Sequence, residues 1–182
     1  MKVRQARGDD VRSIAEIHVR SWQAAYRGIL PDELLDGLSA SERDGSWQAI
    51  VGAGDGLWLT LVAERDSGLA GFCSAATPSR DADVTERTAE IGALYVDPSH
   101  WRQGVGGAML AAVFAELSER RFRDAILWVL PENRPALAFY ERFGFEVEEG
   151  VGKREERSGR PVIRLRASLL PTSDLPGEWP HA

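Results

Sequence analysis

Apolar residues recur at steps of three and four positions in two long stretches of the chain, and this period predicts helices with one buried face. The first stretch begins after Asp9 or Asp10, either of which is a suitable N-cap, and runs to about Ala25; the second covers 104–121. Shorter helices are predicted after Pro31, before a glycine-rich break, and before Gly144. Their ranges are 32–38, 41–51 and 135–143.

Apolar runs bounded by turn residues predict the strands. The runs 57–64 and 69–76 are separated by Asp66, Ser67 and Gly68, a combination typical of a hairpin turn. The other strands are expected over 2–6, 88–96, 125–130, 145–149 and 161–167. The polar segment 77–87 is expected to be a mobile loop.

The order of these elements predicts an α/β domain of the mixed α+β kind. A half built on a hairpin is followed by a strand–helix–strand unit, so the sheet should be mixed and covered by helices. With 182 residues, we expect one domain over 1–168. The segment 169–182 is rich in Pro, Ser and Asp, and we expect it to be a loosely attached tail.

The net charge and the amino-acid composition argue against several classes of binding partner. The net charge of −6 argues against a nucleic-acid partner, because phosphate binding requires a basic surface, whereas an acidic surface is compatible with a cationic amine. Cys73 is the single cysteine and the three histidines lie far apart, so we expect no disulfide and no metal site. No segment is typical of a signal peptide or a membrane helix, so we expect a cytoplasmic protein without a membrane partner.

A glycine-rich helix start is the first candidate for chemistry. A strand ends at Val96, and a short loop leads to Gly104, Gly106 and Gly107 at the beginning of the next helix. Unpaired N–H groups at a helix start bind phosphate, and glycine lets a bulky anion come close. The alternative is that these glycines only let the helix pack closely on the sheet.

Two of the known phosphate motifs do not fit this segment. A P-loop requires a Lys followed by Ser or Thr, which are missing after Gly104. A dinucleotide fingerprint requires a third small residue, and Met109 stands there instead. The remaining phosphate ligand is the pyrophosphate of coenzyme A.

A second candidate motif follows the next predicted strand. Asn133 stands at a helix start and Tyr140 comes seven residues later, on the same helix face. A phenol with a reference pKa of ~10 is suited to protonating a leaving thiolate. The alternatives are a plain N-cap for Asn133 and a half-buried helix tyrosine for Tyr140.

Together, V-D-P-x-x-W-R-Q-G-V-G-G-A-M-L over 96–110 and N-R-P-A-L-A-F-Y-E-R-F-G-F over 133–145 resemble the GNAT superfamily of N-acetyltransferases. The resemblance covers Glu90 to Phe145. It implies a GNAT-like fold: a central mixed sheet of six to seven strands, flanked by helices, with strands splayed at the cofactor site. It further implies acetyl-CoA as cosubstrate and, because family members are often dimers, a homodimer.

The resemblance also implies roles for individual residues. Its motif [RQ]-x-x-G-x-[GA] matches at Gly104 and Gly106 and departs at Trp101. Asn133 would bind the cofactor arm, and Tyr140 would be the general acid. The residues implied at the pyrophosphate, mainly through backbone N–H groups, are Arg102, Gln103, Gly104, Val105, Gly106 and Gly107. Those implied along the pantetheine arm, through their backbone, are Leu94, Tyr95 and Val96.

Glu90, on the strand 88–96, is the candidate general base, because some family members carry a base glutamate in the matching place. The alternatives are an ordinary solvent-facing Glu90 and a histidine base, His18 or His100.

The acceptor amine is expected beside the first helices. His18, Trp22 and Tyr26 are spaced by four and share one helix face, although Trp22 also fits the core stripe. The segment 19–35 resembles a group of bacterial GNAT proteins whose acceptors are mostly unassigned.

The function expected from the sequence is acetyl transfer to a primary amine of a small molecule, by direct transfer in a ternary complex. Two alternatives stay open at this point. One is a protein acetyltransferase acting on lysines or N-termini. The other is an acyl-CoA-binding sensor without catalysis.

Overall fold

A computed structural model describes residues 1–169 and shows a seven-stranded sheet with helices on both faces. The strands are β1 (Lys2–Gln5), β2 (Trp58–Arg65), β3 (Gly68–Ala76), β4 (Thr88–Val96), β5 (Asp124–Val129), β6 (Glu146–Arg154) and β7 (Pro161–Ser168). The helices are α1 (Val11–Ala25), α2 (Asp32–Asp36), α3 (Ala40–Gly52), α4 (Val105–Glu119) and α5 (Arg134–Arg142). Short 3-10 turns cover Gly8–Asp10 and Pro98–His100.

The sheet has the order β1-β2-β3-β4-β5-β7-β6, and β4 with β5 is its parallel pair. These two strands pair only over Thr88–Glu90 and Asp124–Ile126, and beyond Glu90 they separate. A register shift against β3 leaves Gly92 unpaired as a bulge in β4 directly after that point. Because a bulge bends its strand, it accounts for the V-shaped gap that opens between β4 and β5. The expected mixed sheet with splayed strands is confirmed.

The two faces of the sheet carry separate cores. Helices α4 and α5 cover one face, where Met109 and Val113 of α4 are fully buried. Helices α1 and α3 cover the other face, where Ile14 packs with Trp47 and other buried residues. Side chains alternate along β4, so Leu94 and Val96 face α4 while Tyr95 faces α1.

The predicted elements are present, with two differences. Strand β6 continues to Arg154 instead of ending near 149, because a register shift against β7 carries the pairing past polar residues. The segment 77–87, expected to be mobile, is held by Arg164 of β7, whose buried guanidinium lies 2.7 Å from the carboxylate of Asp83 and 3.4 Å from that of Asp81.

Two further expectations concern the C-terminal tail and membrane helices, and the structure bears on them only over residues 1–169. The tail expected over 169–182 lies outside the described residues apart from Leu169, which is buried and donates its N–H to the carbonyl of Arg123 at 2.7 Å. Within residues 1–169, no helix has both the length and the apolar character needed to cross a membrane.

Candidate active site

The gap between β4 and β5 exposes one edge of β4. The N–H of Asp97, directly after β4, donates to the carbonyl of Ala70 on β3 at 2.9 Å. Alternate residues of an antiparallel strand bond to the same neighbour, so the backbone of Tyr95 also faces β3. Of the three residues expected along the pantetheine arm, Leu94 and Val96 therefore present their backbone to the gap and Tyr95 does not.

The carbonyl of Val96 is held by two side chains at the open end of the gap. It accepts from the Ser21 hydroxyl of α1 at 2.9 Å and from the Trp101 indole Nε1 at 2.7 Å. Trp101 departs from the family motif, and the sequence alone gave no role for it. In the structure it ties the loop before α4 back to the end of β4.

The loop before α4 has an unusual backbone. Gly104 is the N-cap of α4 in the left-handed conformation, with φ of +76°, and Arg102 also has a positive φ of +57°. The Gln103 amide fixes the loop on two sides, since it accepts from Arg65 at 2.7 Å and donates to the Ser99 carbonyl at 3.0 Å. These bonds hold the chain in the turn that leads into α4.

This turn leaves a row of N–H groups at the start of α4. Within residues 1–169, the backbone N–H groups of Gln103 to Gly107 have no hydrogen-bond acceptor, and the first helical bond of α4 is made by Ala108 to the Gly104 carbonyl at 3.0 Å. Unpaired N–H groups and the helix dipole favour an anion here. The arrangement therefore fits a pyrophosphate, as the motif predicts.

The other glycines of the motif also serve packing. A Cβ on Gly107 would lie 3.0 Å from the ring of Phe143, and a Cβ on Gly106 would lie 3.4 Å from Phe139. Both phenylalanines belong to the α5 region, so the absence of side chains lets α5 pack closely on the first turn of α4. The close-packing interpretation thus applies to Gly106 and Gly107, while the free N–H groups support the phosphate interpretation at the same turn.

Asn133 begins α5 beside the gap. Its side-chain oxygen accepts from the N–H of Ala136 at 3.2 Å, and the residue is buried, so it is an N-cap as the sequence also allowed. Its side chain also lies close enough to the Tyr26 hydroxyl, at the end of α1, to lower the pKa of Tyr26 by hydrogen bonding.

Tyr140 lies two turns further along α5. Its ring packs against Phe139 and Phe145, with centroid distances of 5.2 and 5.4 Å. Burial raises the pKa of Tyr140, and Cys73 and Tyr26 add to the increase. The phenol therefore stays protonated at neutral pH. Its hydroxyl has no hydrogen-bond partner among residues 1–169, which leaves the proton available to a bound molecule.

All three tyrosines of the chain lie near one another beside the gap: Tyr26 is within hydrogen-bond reach of Tyr95, and Tyr140 is close enough to interact electrostatically with both. Tyr95 accepts a hydrogen bond of 2.8 Å from the Trp22 indole, and Trp22 lies edge-on to Tyr26 at 5.0 Å. Burial raises the pKa of Tyr95 and of Tyr26, and Tyr140 adds to the increase at Tyr95. We call Tyr26, Tyr95 and Tyr140 the tyrosine group.

His18 lies behind the tyrosine group. It is 9% exposed, stacks on Tyr95 at 4.8 Å, and accepts from the Trp47 indole at 3.2 Å through Nδ1. Burial, with the charges of Arg43 and Arg157, lowers the pKa of His18 to about 3. So weak a base is unsuited to taking a proton from an amine. Its position is that of a neutral core histidine, and Trp22, at 8% exposed, is likewise a core residue.

Glu90 lies at the closed end of the gap, on the last residue of β4 that pairs with β5. Its carboxylate accepts from the Ser79 hydroxyl at 3.1 Å and lies 4.0 Å from the ammonium of Lys153. Lys153 in turn lies over the ring of Trp128 at 4.2 Å. These contacts hold the carboxylate in one place. His100, the other candidate base, contacts Ser99 in the loop before α4 at 3.1 Å.

A sequence model of the acetyltransferase (GNAT) family matches residues 11–145. The uncharacterized N-acetyltransferase YuaI of Bacillus subtilis is 29% identical over 92% of this chain and 97% of its own. The mycothiol acetyltransferase of Acidimicrobium ferrooxidans is 31% identical over 78% of this chain but only 42% of its own.

A solved structure has the same fold. The PaiA N-acetyltransferase of Thermoplasma acidophilum, in complex with coenzyme A, superposes with a TM-score of 0.75 at 20% identity, covering 92% of this chain and 98% of that one. Since the family match spans most of the chain and includes both the α4 turn and Tyr140, the chain belongs to the acetyltransferase (GNAT) family and is an N-acetyltransferase with acetyl-CoA as its cosubstrate.

Proposed function

We propose that this protein transfers the acetyl group of acetyl-CoA directly to a primary amine of a small molecule, with both substrates bound at once. The observation that carries the proposal is the position of the tyrosine group. Tyr140 packs on the face of the sheet that carries α4 and its free N–H groups, while Tyr95 packs on the face that carries α1, and Tyr26 ends that helix. Donor and acceptor would thus meet from opposite sides at one phenol.

On the donor side, the N–H groups of Gln103 to Gly107 would hold the pyrophosphate. The backbone of Leu94 and the N–H of Val96, with Asn133 across the gap, would hold the pantetheine arm, since the Val96 carbonyl already accepts from Ser21 and Trp101. In this arrangement the side chains of Arg102 and Gln103 are secondary: Arg102 is exposed, and Gln103 already holds the loop.

The chemical step forms a C–N bond and breaks a C–S bond. The amine, after losing one proton, attacks the thioester carbonyl carbon, and a backbone N–H near Val96 would stabilise the oxyanion. The coenzyme A sulfur then leaves as a thiolate and Tyr140 would donate its proton to the sulfur, while the second proton that the nitrogen loses as the amide forms would return to the Tyr140 phenolate through water. Glu90, fixed by Ser79 and Lys153, would accept the proton of the amine, directly or through water.

On the acceptor side, Tyr26 is the best placed of the three predicted residues because it is half-buried at the end of α1. Trp22 would support the acceptor site by orienting Tyr95, and His18 would support it by packing. The match to a mycothiol acetyltransferase favours a small acceptor. The homodimer, the domain limit at 168 and the cytoplasmic location stay predictions from the sequence.

Thiol release from acetyl-CoA tests the proposal. The purified full chain is assayed with polyamines, amino acids, aminoglycosides and peptides, with an acceptor-free reaction as control. Release that depends on a small amine, with intersecting double-reciprocal lines, is expected for a ternary complex, whereas parallel lines would show a ping-pong mechanism. Release with peptides only would make it a protein acetyltransferase. Acetyl-CoA binding by calorimetry without any release would make it a sensor.

A further inference from the structure

Arg43 of α3 is a buried arginine whose charge is not paired with a carboxylate among residues 1–169. It is only 7% exposed, and its Nη2 is out of contact with solvent and has no hydrogen-bond acceptor in the part of the chain that the structure describes. Within residues 1–169, no carboxylate lies within ion-pair distance of its guanidinium. Arginine is almost never this buried unless it is paired, because desolvating a charge without compensation is costly.

The charges nearest to Arg43 do not supply the missing partner. Glu155 and Glu42 act on its pKa from a distance, and the Glu155 carboxylate accepts from the backbone N–H of Arg157 and from Ser158. Within residues 1–169, Asp44, next to it in the chain, forms no ion pair with it, and its own buried Oδ1 has no hydrogen-bond partner. Arg157 adds a second positive charge, and burial with that charge lowers the pKa of Arg43.

Arg43 lies on the acceptor side of the tyrosine group. Its guanidinium is 5.4 Å from the centre of the Trp22 ring, and the Trp22 indole donates to the Tyr95 hydroxyl at 2.8 Å. Its charge also acts on Tyr95 and on His18. The free N–H groups that fit the pyrophosphate belong instead to the turn before α4.

We propose that Arg43 binds a carboxylate of the acceptor, so that the substrates are amino-carboxylates whose amine reaches the tyrosine group while their acid group reaches this guanidinium. The inference rests on the proposed function. A carboxylate would supply the missing acceptor for Nη2 and offset the repulsion between Arg43 and Arg157. A planar guanidinium binds a carboxylate through two parallel hydrogen bonds, which suits such selection.

Matched acceptor pairs test the inference on the unaltered enzyme. Each pair consists of an amino acid and its carboxamide, taken from an α-amino acid and from a series of ω-amino acids of increasing length. A charge-assisted hydrogen bond predicts that kcat/KM is about 10- to 100-fold higher for the acid in the pair of fitting length. Equal values, or a preference for the carboxamide in every pair, would overturn the inference.

Variants of Arg43 test whether this residue causes the preference for acids over carboxamides. Arg43→Met keeps a long unbranched side chain at this position without the charge and should reduce the acid-to-amide ratio to near one, and Arg43→Lys should retain part of it. The control Arg12→Met removes an exposed arginine of α1 and should leave the ratio unchanged. An Arg43→Met enzyme that folds, as shown by its melting temperature, and keeps the full ratio would contradict the role of Arg43.

The two proposals fail in different ways. If the enzyme acetylates carboxamides or plain amines as well as it acetylates acids, the carboxylate site is wrong and the acetyltransferase function stands. If no small amine of either kind supports thiol release while acetyl-CoA still binds, the proposed function itself fails.

Discussion

The indole of Trp101 donates a 2.7 Å hydrogen bond to the carbonyl of Val96, which joins the loop before α4 to the end of β4. The loop carries the free N–H groups of the candidate pyrophosphate site, and β4 carries the free edge of the candidate pantetheine site. A residue that departs from the family motif therefore couples the two halves of the candidate donor site.

The substitution Trp101→Phe keeps an aromatic ring at this position and removes the hydrogen bond from the indole to the Val96 carbonyl. The Val96 carbonyl still accepts from Ser21, so no buried carbonyl is left unpaired. We expect a loss of about 1 kcal/mol in the ordering of the loop. The Kd of acetyl-CoA should rise about fivefold by calorimetry. An unchanged Kd would show that the bond does not order the donor site.

Tyr140→Phe removes the proposed general acid while keeping the ring between Phe139 and Phe145. Because the hydroxyl has no partner among residues 1–169, its loss should leave the fold and the Kd of acetyl-CoA nearly unchanged. General acid catalysis contributes roughly 10²- to 10⁴-fold, and kcat should fall by an amount in this range. A thiol-release assay that shows the kcat of the unaltered enzyme would exclude the role.

Glu90→Gln tests the proposed base. The glutamine can still accept from Ser79, so the contact that positions the side chain is kept. We expect kcat/KM to fall at least tenfold, because an amide cannot take up the proton of the amine. Glu86→Gln, at an exposed position of the 77–87 loop, is the matched control. A similar kcat/KM for both variants would show Glu90 to be an ordinary strand residue.

His18 makes the fold sensitive to acid. Its pKa is about 3 in the folded protein and about 6.5 in the unfolded chain, so below pH 6.5 the unfolded state binds the proton and the folded state does not. The free energy of unfolding should therefore fall as pH decreases, by about 2 kcal/mol between pH 7 and pH 5 from this residue.

Urea unfolding at pH 7, 6 and 5 checks this prediction. The variant His18→Gln retains an acceptor for the Trp47 indole and cannot be protonated, so its stability should decline less over the same range. Carboxylates such as Asp10 contribute equally in both proteins and cancel in the comparison. Equal slopes for the two proteins would contradict the buried, neutral state of His18.

Much of the donor site follows from local sequence. The turn before α4 needs a residue that tolerates a positive φ, which predicts Gly104, and the helix that follows necessarily leaves its first N–H groups unpaired. Asn133 and Tyr140 share a face because both lie in or next to one helix of regular period. Such relations depend on neighbours within a few residues and are visible in a single sequence.

The acceptor side could not be worked out in this way. The spacing of His18 from Trp22 and Tyr26 predicts that it lines the acceptor site. Its burial, however, depends on Trp47, 29 positions away, and on Tyr95 of the sheet. Whether the buried guanidinium of Arg43 finds a hydrogen-bond acceptor depends on all the segments that pack around it. The periodicity of the sequence therefore does not reveal that it lacks one among residues 1–169.

The sequence by itself determined the family, the order of the elements and the residues of the donor turn, because those are encoded in local spacing. Only the tertiary structure decided that the three tyrosines lie near one another, that Tyr95 turns its backbone to β3 and away from the gap, and that the buried Arg43 has no carboxylate partner among residues 1–169. These features arise where β4 parts from β5 and where α1 and α3 pack on the sheet. They depend on contacts between distant segments, which local patterns do not specify.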